Sequence, residues 1–559
     1  MKIVVVGGVA AGLKAAAKAR RNDPAAEITV VEKGKLISYG ACGLPYYVAG
    51  EVQDINQLMT TPAGAVRNQA FFKNVKDITV LTETLATGID RAARQVTVKD
   101  LASGEERKLP YDKLVLATGA VPVKPPLPGI ELENIYQLWH PDDAKAVRAG
   151  LERGKFANAV IIGAGLVGLE MAEALKQWEV NVTLIEMKEQ VFPAFLDEEV
   201  AGSVAKYARE HGLTILTAER VERFDGDGAV REVVTDRRTI PADLVILAIG
   251  VRPNVELAKS AGLAIGPSGA IAVDETLRTS DPDIFAGGDC AENTNIISGE
   301  KIFTPMGSTA NKHGRVIGDN LTGGSVKFRG ALGTVVVKVM DMNVGKTGLT
   351  ERDAKRLGIE YVTAMVGGHD RPHYMPGAKL ITVKLVVEAA TGRLLGAQAF
   401  GEGEVAKRID IVATAITLGG TANDLFDIDL AYAPPYNSPI DNVAVAALAV
   451  LNKLAGKLKG ISSLTAQEMM AGGKTVFLDV RTPDECKLQG RLPCAGVKYI
   501  PLGQLRSRLG ELNKDDEIVA FCKISLRGYE AALILEGEAF DKVKVMEGGI
   551  NAWPFDCEK

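Results

Sequence analysis

The sequence predicts an α/β protein of several domains, and three of its segments lead to that prediction. Residues 2–32 and 158–186 each contain a buried strand, a glycine-rich turn, a helix and a second strand, in that order. Near the C-terminus, residues 516–537 contain a strand, a short loop and a helix. Strands that alternate with helices form parallel sheets covered by helices. A chain of 559 residues is long enough for roughly three to five such domains.

Composition excludes several classes of function. Hydrophobic residues make up 47% of the chain and charged residues 24%, as in soluble globular proteins. A net charge of −5 offers no basic surface for nucleic acid. No signal peptide opens the chain, and the apolar run at 443–451 is too short to span a membrane. The six cysteines, which include no CxxC pair, are Cys42, Cys290, Cys486, Cys494, Cys522 and Cys557. Their spacing argues against a metal site or a disulfide framework and favours a reducing cytoplasm.

The first glycine-rich turn, KIVVVGGVAAGL at 2–13, has the layout of a dinucleotide site. Gly7 and Gly12 would admit a pyrophosphate to the helix N-terminus, which stabilises its charge. Glu32 ends the second strand, where a carboxylate accepts hydrogen bonds from a ribose. Val9 stands at the middle glycine position, so the turn departs from the full GxGxxG pattern. The order of strand, turn, helix, strand and acid still predicts a dinucleotide.

A second copy, NAVIIGAGLVGLEMAEAL at 158–175, carries all three glycines: Gly163, Gly165 and Gly168. Glu186 ends the strand that follows. A carboxylate there pairs with the free ribose hydroxyls of NADH and repels the additional phosphate of NADPH. We therefore expect NADH rather than NADPH, although Lys188 nearby offers a positive charge.

Two further segments, LVLATGAVP at 114–122 and TSDPDIFAGGDCAE at 279–292, each run from a strand into a turn of small residues. Together with the two glycine-rich turns, they resemble the pyridine nucleotide-disulfide oxidoreductase family from residue 1 to about 451. The resemblance implies FAD in the first site and NAD(P)H in the second. The residues that it assigns to FAD are Gly7, Gly12, Glu32, Lys33, Ala117, Thr118, Gly119, Asp289 and Ala310.

The segment ISYGACGLPYY at 37–47 contains the candidate redox residue, Cys42. Disulfide reductases of the family carry two cysteines spaced CxxxxC, and Ile37 stands at the partner position here. The chain therefore resembles the single-cysteine branch, whose members use a mixed disulfide with substrate or a sulfenic acid. The peroxidases and oxidases of that branch place a histidine where this chain has Ala10. The mixed disulfide is therefore the favoured prediction.

The segments HYMPG at 373–377 and AYAPPY at 431–436 resemble coenzyme A-disulfide reductases. That resemblance implies that Tyr374 and Tyr432 reach across a dimer to the sulfur chemistry, where a tyrosine hydroxyl can donate to a leaving thiolate. An alternative role for these tyrosines is packing at the dimer interface.

Coenzyme A would also need cations for its phosphates. The resemblance assigns Arg21 and Ser38 to coenzyme A, and Lys73 is a further available cation. The alternative is that these basic residues are ordinary solvated helix ends.

The C-terminal segment resembles a rhodanese-like domain, on DVR at 479–481, the loop CKISLR at 522–527 and EGGINAW at 547–553. A thiol on a loop that closes onto a helix N-terminus meets unpaired N–H groups, which can hold a terminal sulfur anion. We expect Cys522 to carry the sulfur and Arg527 to end its loop. Ser525 departs from the glycine common at its position. A degenerate domain used only for binding is the alternative.

These observations predict two Rossmann-like FAD and NAD(P)H domains, an α+β dimerisation domain and a C-terminal rhodanese-like α/β domain. The predicted bounds are 1–149 with 245–325 for FAD, 150–244 for NAD(P)H, 326–451 for dimerisation, 452–462 for a linker and 463–559 for the rhodanese-like domain.

The function that the resemblance implies is NADH-driven, FAD-dependent reduction of coenzyme A persulfide, polysulfide or coenzyme A disulfide through one redox cysteine, coupled to a sulfurtransferase. Fusions of coenzyme A-disulfide reductase with rhodanese, also described as NADH-dependent persulfide reductases, have this organisation. The alternatives are an NADH oxidase or peroxidase, and a non-catalytic redox sensor that binds FAD and coenzyme A. Expected partners are small thiols, disulfides and persulfides and a second copy in a homodimer, with neither nucleic acid nor membrane.

Overall fold

A computed structural model describes residues 1–494 and 496–558, and its architecture confirms the predicted α/β fold class. The chain divides into two compact units. The first comprises Met1–Gly163, Met171–Thr183 and Arg220–Ala331, and the second comprises Ala164–Glu170, Leu184–Glu219 and Leu332–Lys559. The segments predicted as dimerisation and rhodanese-like domains therefore lie in the same unit.

The first 157 residues begin with the predicted strand, turn and helix. Their strands are β1 Lys2–Val6, β2 Glu27–Val31, β3 Thr79–Leu81, β4 Thr84–Asp90, β5 Gln95–Asp100, β6 Glu106–Pro110, β7 Lys113–Leu116, β8 Ala120–Pro122 and β9 Ile135–Tyr136. Their helices are α1 Ala11–Asn22, α2 Leu44–Ala49, α3 Gln69–Lys76 and α4 Pro141–Glu152.

Residues 158–331 contain the second strand–turn–helix repeat and the end of the first nucleotide-binding region. Their strands are β10 Asn158–Ile162, β11 Asn181–Ile185, β12 Thr214–Leu216, β13 Val221–Asp227, β14 Ala229–Thr235, β15 Thr239–Pro241, β16 Leu244–Leu247, β17 Val251–Pro253, β18 Ile284–Ala286, β19 Asn293–Thr294 and β20 Lys301–Ile302. Their helices are α5 Leu166–Lys176, α6 Glu198–Glu210, α7 Glu256–Ser260 and α8 Gly307–Asn320.

The two nucleotide-binding regions have five-stranded sheets, in the orders β18-β7-β1-β2-β3 and β12-β11-β10-β16-β9. Pairing in the first sheet is parallel throughout. Its strands are short runs of mostly buried apolar residues, as in parallel sheets whose two faces are both covered. Helix α8 packs closely on α1, where a Cβ on Gly314 would lie 2.6 Å from the Ala11 carbonyl oxygen.

The predicted dimerisation segment forms an antiparallel sheet of order β21-β22-β25-β24-β23. Its strands are β21 Val335–Val339, β22 Met342–Gly348, β23 Tyr361–His369, β24 Leu380–Glu388 and β25 Leu394–Gly401, and its helices are α9 Glu351–Arg356, α10 Val405–Thr417, α11 Ala422–Asp427 and α12 Asn442–Leu454. Strand β23 is an edge of this sheet. In the middle strand β24, buried Lys384 pairs with Asp197 at 2.8 Å and Glu199 at 2.5 Å, which fixes α6 to the sheet within the second unit.

The C-terminal segment forms a parallel sheet of order β26-β30-β29-β27-β28 with an apolar cluster on each face. Its strands are β26 Gly460–Ile461, β27 Thr475–Asp479, β28 Val497–Tyr499, β29 Glu517–Phe521 and β30 Val543–Met546, and its helices are α13 Ser463–Ala471, α14 Pro483–Gln489, α15 Leu502–Leu505 and α16 Leu526–Gly537.

The predicted linker, 452–462, lies partly within regular elements. Helix α12 runs to Leu454, and Gly460 already belongs to β26. Only residues 455–459 connect the helix to the strand, so the connection is shorter than the sequence pattern predicts.

Among the described residues, no helix is both long and apolar enough to cross a membrane. The same residues contain no group of three His, Cys, Asp or Glu side chains arranged to hold a metal ion.

Candidate active sites

The first glycine-rich turn has no room for side chains at its two outer glycines. Gly7 has φ +115°, and a Cβ there would lie 2.0 Å from the Ala117 carbonyl oxygen. A Cβ on Gly12 would lie 2.0 Å from the Gly7 carbonyl oxygen. The Glu32 carboxylate accepts hydrogen bonds from the N–H groups of Gly8 and Gly34, both at 2.8 Å. The turn is therefore shaped by its own backbone and by the acid one residue past β2.

The second turn repeats this arrangement. The Glu186 carboxylate accepts from the N–H groups of Ala164 and Lys188, each at 2.9 Å, and Glu186 is only 7% exposed. Gly165 faces open space, with no atom within 4 Å of an added Cβ, while Gly168 lies buried in α5. Open space at the turn suits the close approach of a pyrophosphate.

The other residues predicted to contact FAD converge on the first turn. Besides Ala117, which lies against Gly7, an added Cβ on Gly288 would lie 3.1 Å from the Ala11 Cβ and 3.7 Å from the Ala310 Cβ. Thr118 donates through Oγ1 to the Asn254 carbonyl at 2.7 Å, and the Asn254 N–H donates to the Gly119 carbonyl at 2.9 Å. Lys33 is exposed, and among the described residues no side-chain contact brings it to this cluster.

Asp289 is an acid without a protein partner beside this cluster. It follows β18, and no hydrogen bond to its carboxylate is found among the described residues. Burial raises its pKa to about 6. Asp289 is partly buried, and a partly buried acceptor that no protein group satisfies fits a ligand hydroxyl. The first site is therefore compatible with a flavin dinucleotide: Gly7 and Gly12 leave no room for side chains, the Glu32 carboxylate is held by the turn, and Asp289 offers an acceptor.

Cys42 is exposed in a single helical turn, Ala41–Gly43, that leads into α2. Ile37 occupies the cysteine partner position and is 3% exposed. The described cysteines form no disulfide. Leu58 packs against this turn. The Gly40 N–H donates to the Leu58 carbonyl at 2.9 Å, and a Cβ on Gly43 would lie 2.4 Å from the Leu58 side chain.

The helix behind Cys42 is anchored by two residues that the sequence analysis missed. Arg148 donates to the carbonyls of Tyr47 at 3.1 Å and Val52 at 2.7 Å. The Trp178 Nε1–H donates to the Val48 carbonyl at 2.8 Å. Both are distant in sequence from Cys42, and no local pattern marks them. Trp178 thus binds a carbonyl at the C-terminal end of α2, and Arg148 joins that end to the segment that follows it.

The predicted coenzyme A residues are only partly assembled. Lys73 bonds Asp77 at 2.9 Å and is 60% exposed at its side chain. Asp77 also pairs with Arg20, whereas Arg21 is exposed to solvent. Ser38 lies elsewhere, with its N–H donating to the Gly8 carbonyl at 2.9 Å. The ends of α1 and α3 thus meet at Asp77, and among the described residues no hydrogen bond or ion pair joins Ser38 to them.

Tyr374 and Tyr432 are exposed by 64% and 50% of their surface. Their loops are joined, because Arg371 Nη1 donates to the Pro435 carbonyl at 3.2 Å. Neighbouring apolar side chains on the same part of the chain are also exposed: Leu418, Phe426, Ile428, Tyr436 and Ile440. An exposed apolar surface of this kind indicates a protein interface.

The second candidate thiol, Cys522, is buried directly after β29. Among the described residues, no acceptor is found for the N–H groups of Lys523, Ile524 and Ser525, and α16 begins at Leu526 with unpaired donors in its first turn. Several N–H groups therefore remain available to a bound anion at the loop.

Arg527 closes this loop through a two-pronged contact with Glu485, at 2.8 and 2.6 Å. The contact lowers the pKa of Glu485 to about 2. Glu485, and to a lesser extent the adjacent Cys522 sulfur, raises the pKa of Arg527. Arg527 thus contributes positive charge beside the thiol.

Residues 1–310 match the pyridine nucleotide-disulphide oxidoreductase family, 334–444 match its dimerisation domain and 463–554 match the rhodanese-like domain. Two solved structures resemble the whole chain. A NAD-dependent persulfide reductase from A. fulgidus is 47% identical with a TM-score of 0.95, covering 99% of this chain and 100% of its own. Reduced Bacillus anthracis CoADR-RHD is 35% identical with a TM-score of 0.91, covering 99% and 97%.

Two curated relatives lack the C-terminal part. The NAD(P)H sulfur oxidoreductase (CoA-dependent) of Pyrococcus furiosus is 38% identical over 446 residues, which are 80% of this chain and 98% of the relative. An NADH oxidase of Methanocaldococcus jannaschii is 36% identical over 458 residues, 82% and 100% of the two chains. The chain therefore belongs to the pyridine nucleotide-disulphide oxidoreductase family and carries a rhodanese-like domain at its C-terminal end.

Proposed function

We propose that this protein uses NADH and FAD to reduce a persulfide, polysulfide or disulfide of coenzyme A at Cys42, and that Cys522 carries sulfane sulfur. The observation that supports this most directly is buried Ile37 at the position of a partner cysteine. Because no cysteine stands at position 37, the Cys42 thiolate must form its disulfide with a substrate sulfur or be oxidised to a sulfenic acid. The persulfide and sulfur reductases among the relatives favour a sulfur substrate.

In the proposed reaction, the Cys42 thiolate attacks the carbon-linked sulfur of a coenzyme A persulfide. The S–S bond of the persulfide breaks, hydrosulfide leaves, and a Cys42–S–S–coenzyme A bond forms. With coenzyme A disulfide, the leaving group is a coenzyme A thiolate. Bound NADH and FAD would supply the electron pair that reduces this mixed disulfide to two thiols. Over one persulfide turnover, NADH and one proton are consumed, and coenzyme A and hydrogen sulfide are released.

The chain's own residues would bind and orient the reactants. Glu32 and Asp289, with the other predicted flavin residues, would hold FAD, and Glu186 would accept from the ribose of NADH and disfavour NADPH. Arg21, Ser38 and Lys73 are proposed contacts of coenzyme A, and Asp77 brings Lys73 to the end of α1 through Arg20, the residue before Arg21.

The leaving thiolate would receive a proton from a tyrosine. Tyr374 and Tyr432 expose most or half of their surface and lie among exposed apolar side chains. These features support a homodimer in which both tyrosines reach the Cys42 of the other subunit.

At the second centre, the Cys522 thiolate would attack a sulfane donor such as thiosulfate, forming Cys522–S–S⁻ and releasing sulfite. The unpaired N–H groups of the loop and the Arg527 charge would hold the terminal sulfur anion. A thiol such as coenzyme A would then remove this sulfur as its own persulfide.

An anaerobic screen of NADH consumption tests the proposal. The acceptors are coenzyme A persulfide, polysulfide and coenzyme A disulfide, with NADH and NADPH compared as donors. We expect turnover with NADH and at least one acceptor, and a loss of about a hundredfold or more in Cys42→Ser with FAD retained. Cys494→Ser is the matched control, since Cys494 lies outside both proposed centres.

Near-parental rates in Cys42→Ser would exclude Cys42 as the redox thiol. Consumption that requires oxygen and none of the sulfur acceptors would instead support the NADH oxidase alternative.

A further inference from the structure

The sulfurtransferase loop, Cys522–Arg527, is held by hydrogen bonds to its carbonyl groups. The Ile550 N–H donates to the Cys522 carbonyl and the Asn551 N–H to the Lys523 carbonyl, both at 3.0 Å. The next carbonyl, that of Ile524, accepts from the Gly367 N–H at 3.3 Å. Groups outside the loop thus bind three successive carbonyls, while the N–H groups of residues 523–525, for which no acceptor is found among the described residues, remain available to a bound sulfur.

Gly367 belongs to β23, in the sheet of the dimerisation segment. Strand β23 is an edge strand, so alternate N–H and C=O groups have no partner in their own sheet. The rhodanese-like domain occupies that edge. The Met365 N–H donates to the Glu547 carboxylate at 3.0 Å, and the Met365 carbonyl accepts from the Gly548 N–H at 3.0 Å. Glu547 is buried, and its other oxygen pairs with Lys453 Nζ at 2.5 Å.

The backbone conformation of Ser525 shows how strongly this edge determines the conformation of the loop. Its φ of +92° lies in the region that side chains rarely adopt. The Ser525 Oγ accepts from the Gly548 N–H at 2.6 Å and lies 3.5 Å from the Met365 carbonyl, to which it donates. A serine can therefore occupy this position because its hydroxyl is bonded on both sides. The departure from glycine noted in the sequence has a structural reason.

The same edge leaves no space for a side chain opposite the loop. A Cβ on Gly367 would lie 3.0 Å from both Cβ and Cγ2 of Ile524 and 3.5 Å from its Cα. On the other face of β23, a Cβ on Gly368 would meet Asn442 of α12 instead. The face of β23 toward the loop is therefore fitted to Ile524.

We propose that the free edge of β23 positions the sulfurtransferase loop, with Gly367, Met365, Ile524 and Ser525 as positioning residues for the chemistry of Cys522. This inference rests on the proposed role of Cys522 as sulfur carrier. It means that the sulfurtransferase site is completed by the reductase part of the chain.

The test uses the full-length protein with FAD bound. Gly367→Ala should push Ile524 and displace the loop. We expect the kcat of sulfur transfer from thiosulfate to cyanide to fall about tenfold or more, with a smaller change in the KM for thiosulfate. The loading of Cys522 with sulfur, followed by mass spectrometry, should slow by a similar factor. NADH-dependent reduction of ferricyanide, which requires neither cysteine, should remain unchanged.

Three further variants separate positioning from a general weakening of the fold. Val362→Ala, on the opposite face of β23, should retain sulfur transfer. The double variant Gly367→Ala with Ile524→Ala should recover part of it, because alanine removes the Ile524 Cγ2 that the new methyl group would meet and keeps the Cβ. Ser525→Ala should lose sulfur transfer, since it keeps the unfavourable φ without the hydrogen bonds.

The outcomes distinguish the inference from the proposed function. Equal loading of Cys522 in the parent and Gly367→Ala, or an equal loss in Val362→Ala, would overturn the inference alone. A parent that loads no sulfur on Cys522 would overturn the role of Cys522 and the inference with it. Reduction of coenzyme A persulfide at Cys42 is measured separately and decides neither outcome.

Discussion

The three carboxylates of the two nucleotide sites differ in the hydrogen bonds that they accept from the protein. Glu32 and Glu186 each accept two backbone N–H groups, which fix the turn that precedes the helix. These bonds orient the acids and leave further lone pairs for a ribose. Asp289 has no such partner, and burial raises its pKa to about 6. Of the three carboxylates, Asp289 is therefore the one whose protonation should depend most on a bound ligand.

Asp289 should make FAD binding depend on pH. Its pKa is raised above the ordinary value of about 3.9. In the apoprotein the carboxyl is therefore protonated below about pH 6 and becomes an acceptor as the pH rises through that value. A flavin hydroxyl that donates to the carboxylate should bind more tightly at pH 7 than at pH 5. Fluorescence titration of the apoprotein with FAD measures this.

Asp289→Asn should bind FAD more weakly at pH 7 and lose the pH dependence between 5 and 7. Asp281→Asn makes the same change near β18, at a residue that pairs with Arg91, and should keep the parental profile. A parental pH profile in Asp289→Asn would exclude this residue as the origin.

At the scale of elements, the sequence predicted what local patterns encode. The strand–turn–helix repeats, the acids after the strands and the start of α16 near Leu526 all depend on neighbouring residues, and their places are as expected. The anchors Arg148 and Trp178 were missed because each acts on a helix about 100 residues or more away. The docking of Ile524 on Gly367 was missed because an edge strand has no signature in sequence.

The length of the connection between α12 and β26 was overestimated for a related reason. Lysine and glycine in 452–462 indicate an exposed connection, but β26 needs only two residues to pair with β30. The predicted roles of the site residues remain predictions, since side-chain positions alone do not establish chemistry.

Cleavage of the connection should leave the two parts associated. A protease site introduced after Lys457 cuts within 455–459, while the β23 edge and the buried Glu547–Lys453 pair stay intact. We expect both fragments to elute together in size-exclusion chromatography at micromolar concentration. Loss of a buried ion-pair partner costs about 3–5 kcal/mol, so Glu547→Ala should weaken the association of the cut fragments at least tenfold.

The same cut tests the value of the covalent connection. A sulfane donor that needs Cys522 should drive NADH oxidation equally in cut and intact protein while the parts stay associated, and faster in intact protein only after dilution separates them. Fragments that separate at micromolar concentration would contradict the docking of the two parts.

At the scale of the whole molecule, the chain is expected to work as a pair of subunits. It matches the family's dimerisation domain, and its two candidate tyrosines expose 64% and 50% of their surface to solvent. If each site combines Cys42 of one subunit with the tyrosines of the other, the inactive subunits should complement one another.

Mixing Cys42→Ser subunits with Tyr432→Phe subunits tests this sharing. A heterodimer should contain one site with both defects and one intact site, and so regain about half of the parental activity with the sulfur acceptor. Each variant dissociated and reassociated alone is the control. Heterodimers no more active than Tyr432→Phe homodimers would show that the tyrosine serves its own subunit.

The fit between Gly367 and Ile524 has a consequence for building chimeras. Fused domains are often treated as interchangeable units that are joined only by a linker. Here a replacement sulfurtransferase would meet a strand edge shaped for one particular loop, with a carboxylate at Glu547 and a pair of glycines at 548 and 549 behind it. A successful chimera would therefore have to exchange both the β23 edge and the loop that packs on it. Fusions that keep only the connecting residues should retain reductase activity in both subunits and lose sulfurtransferase activity.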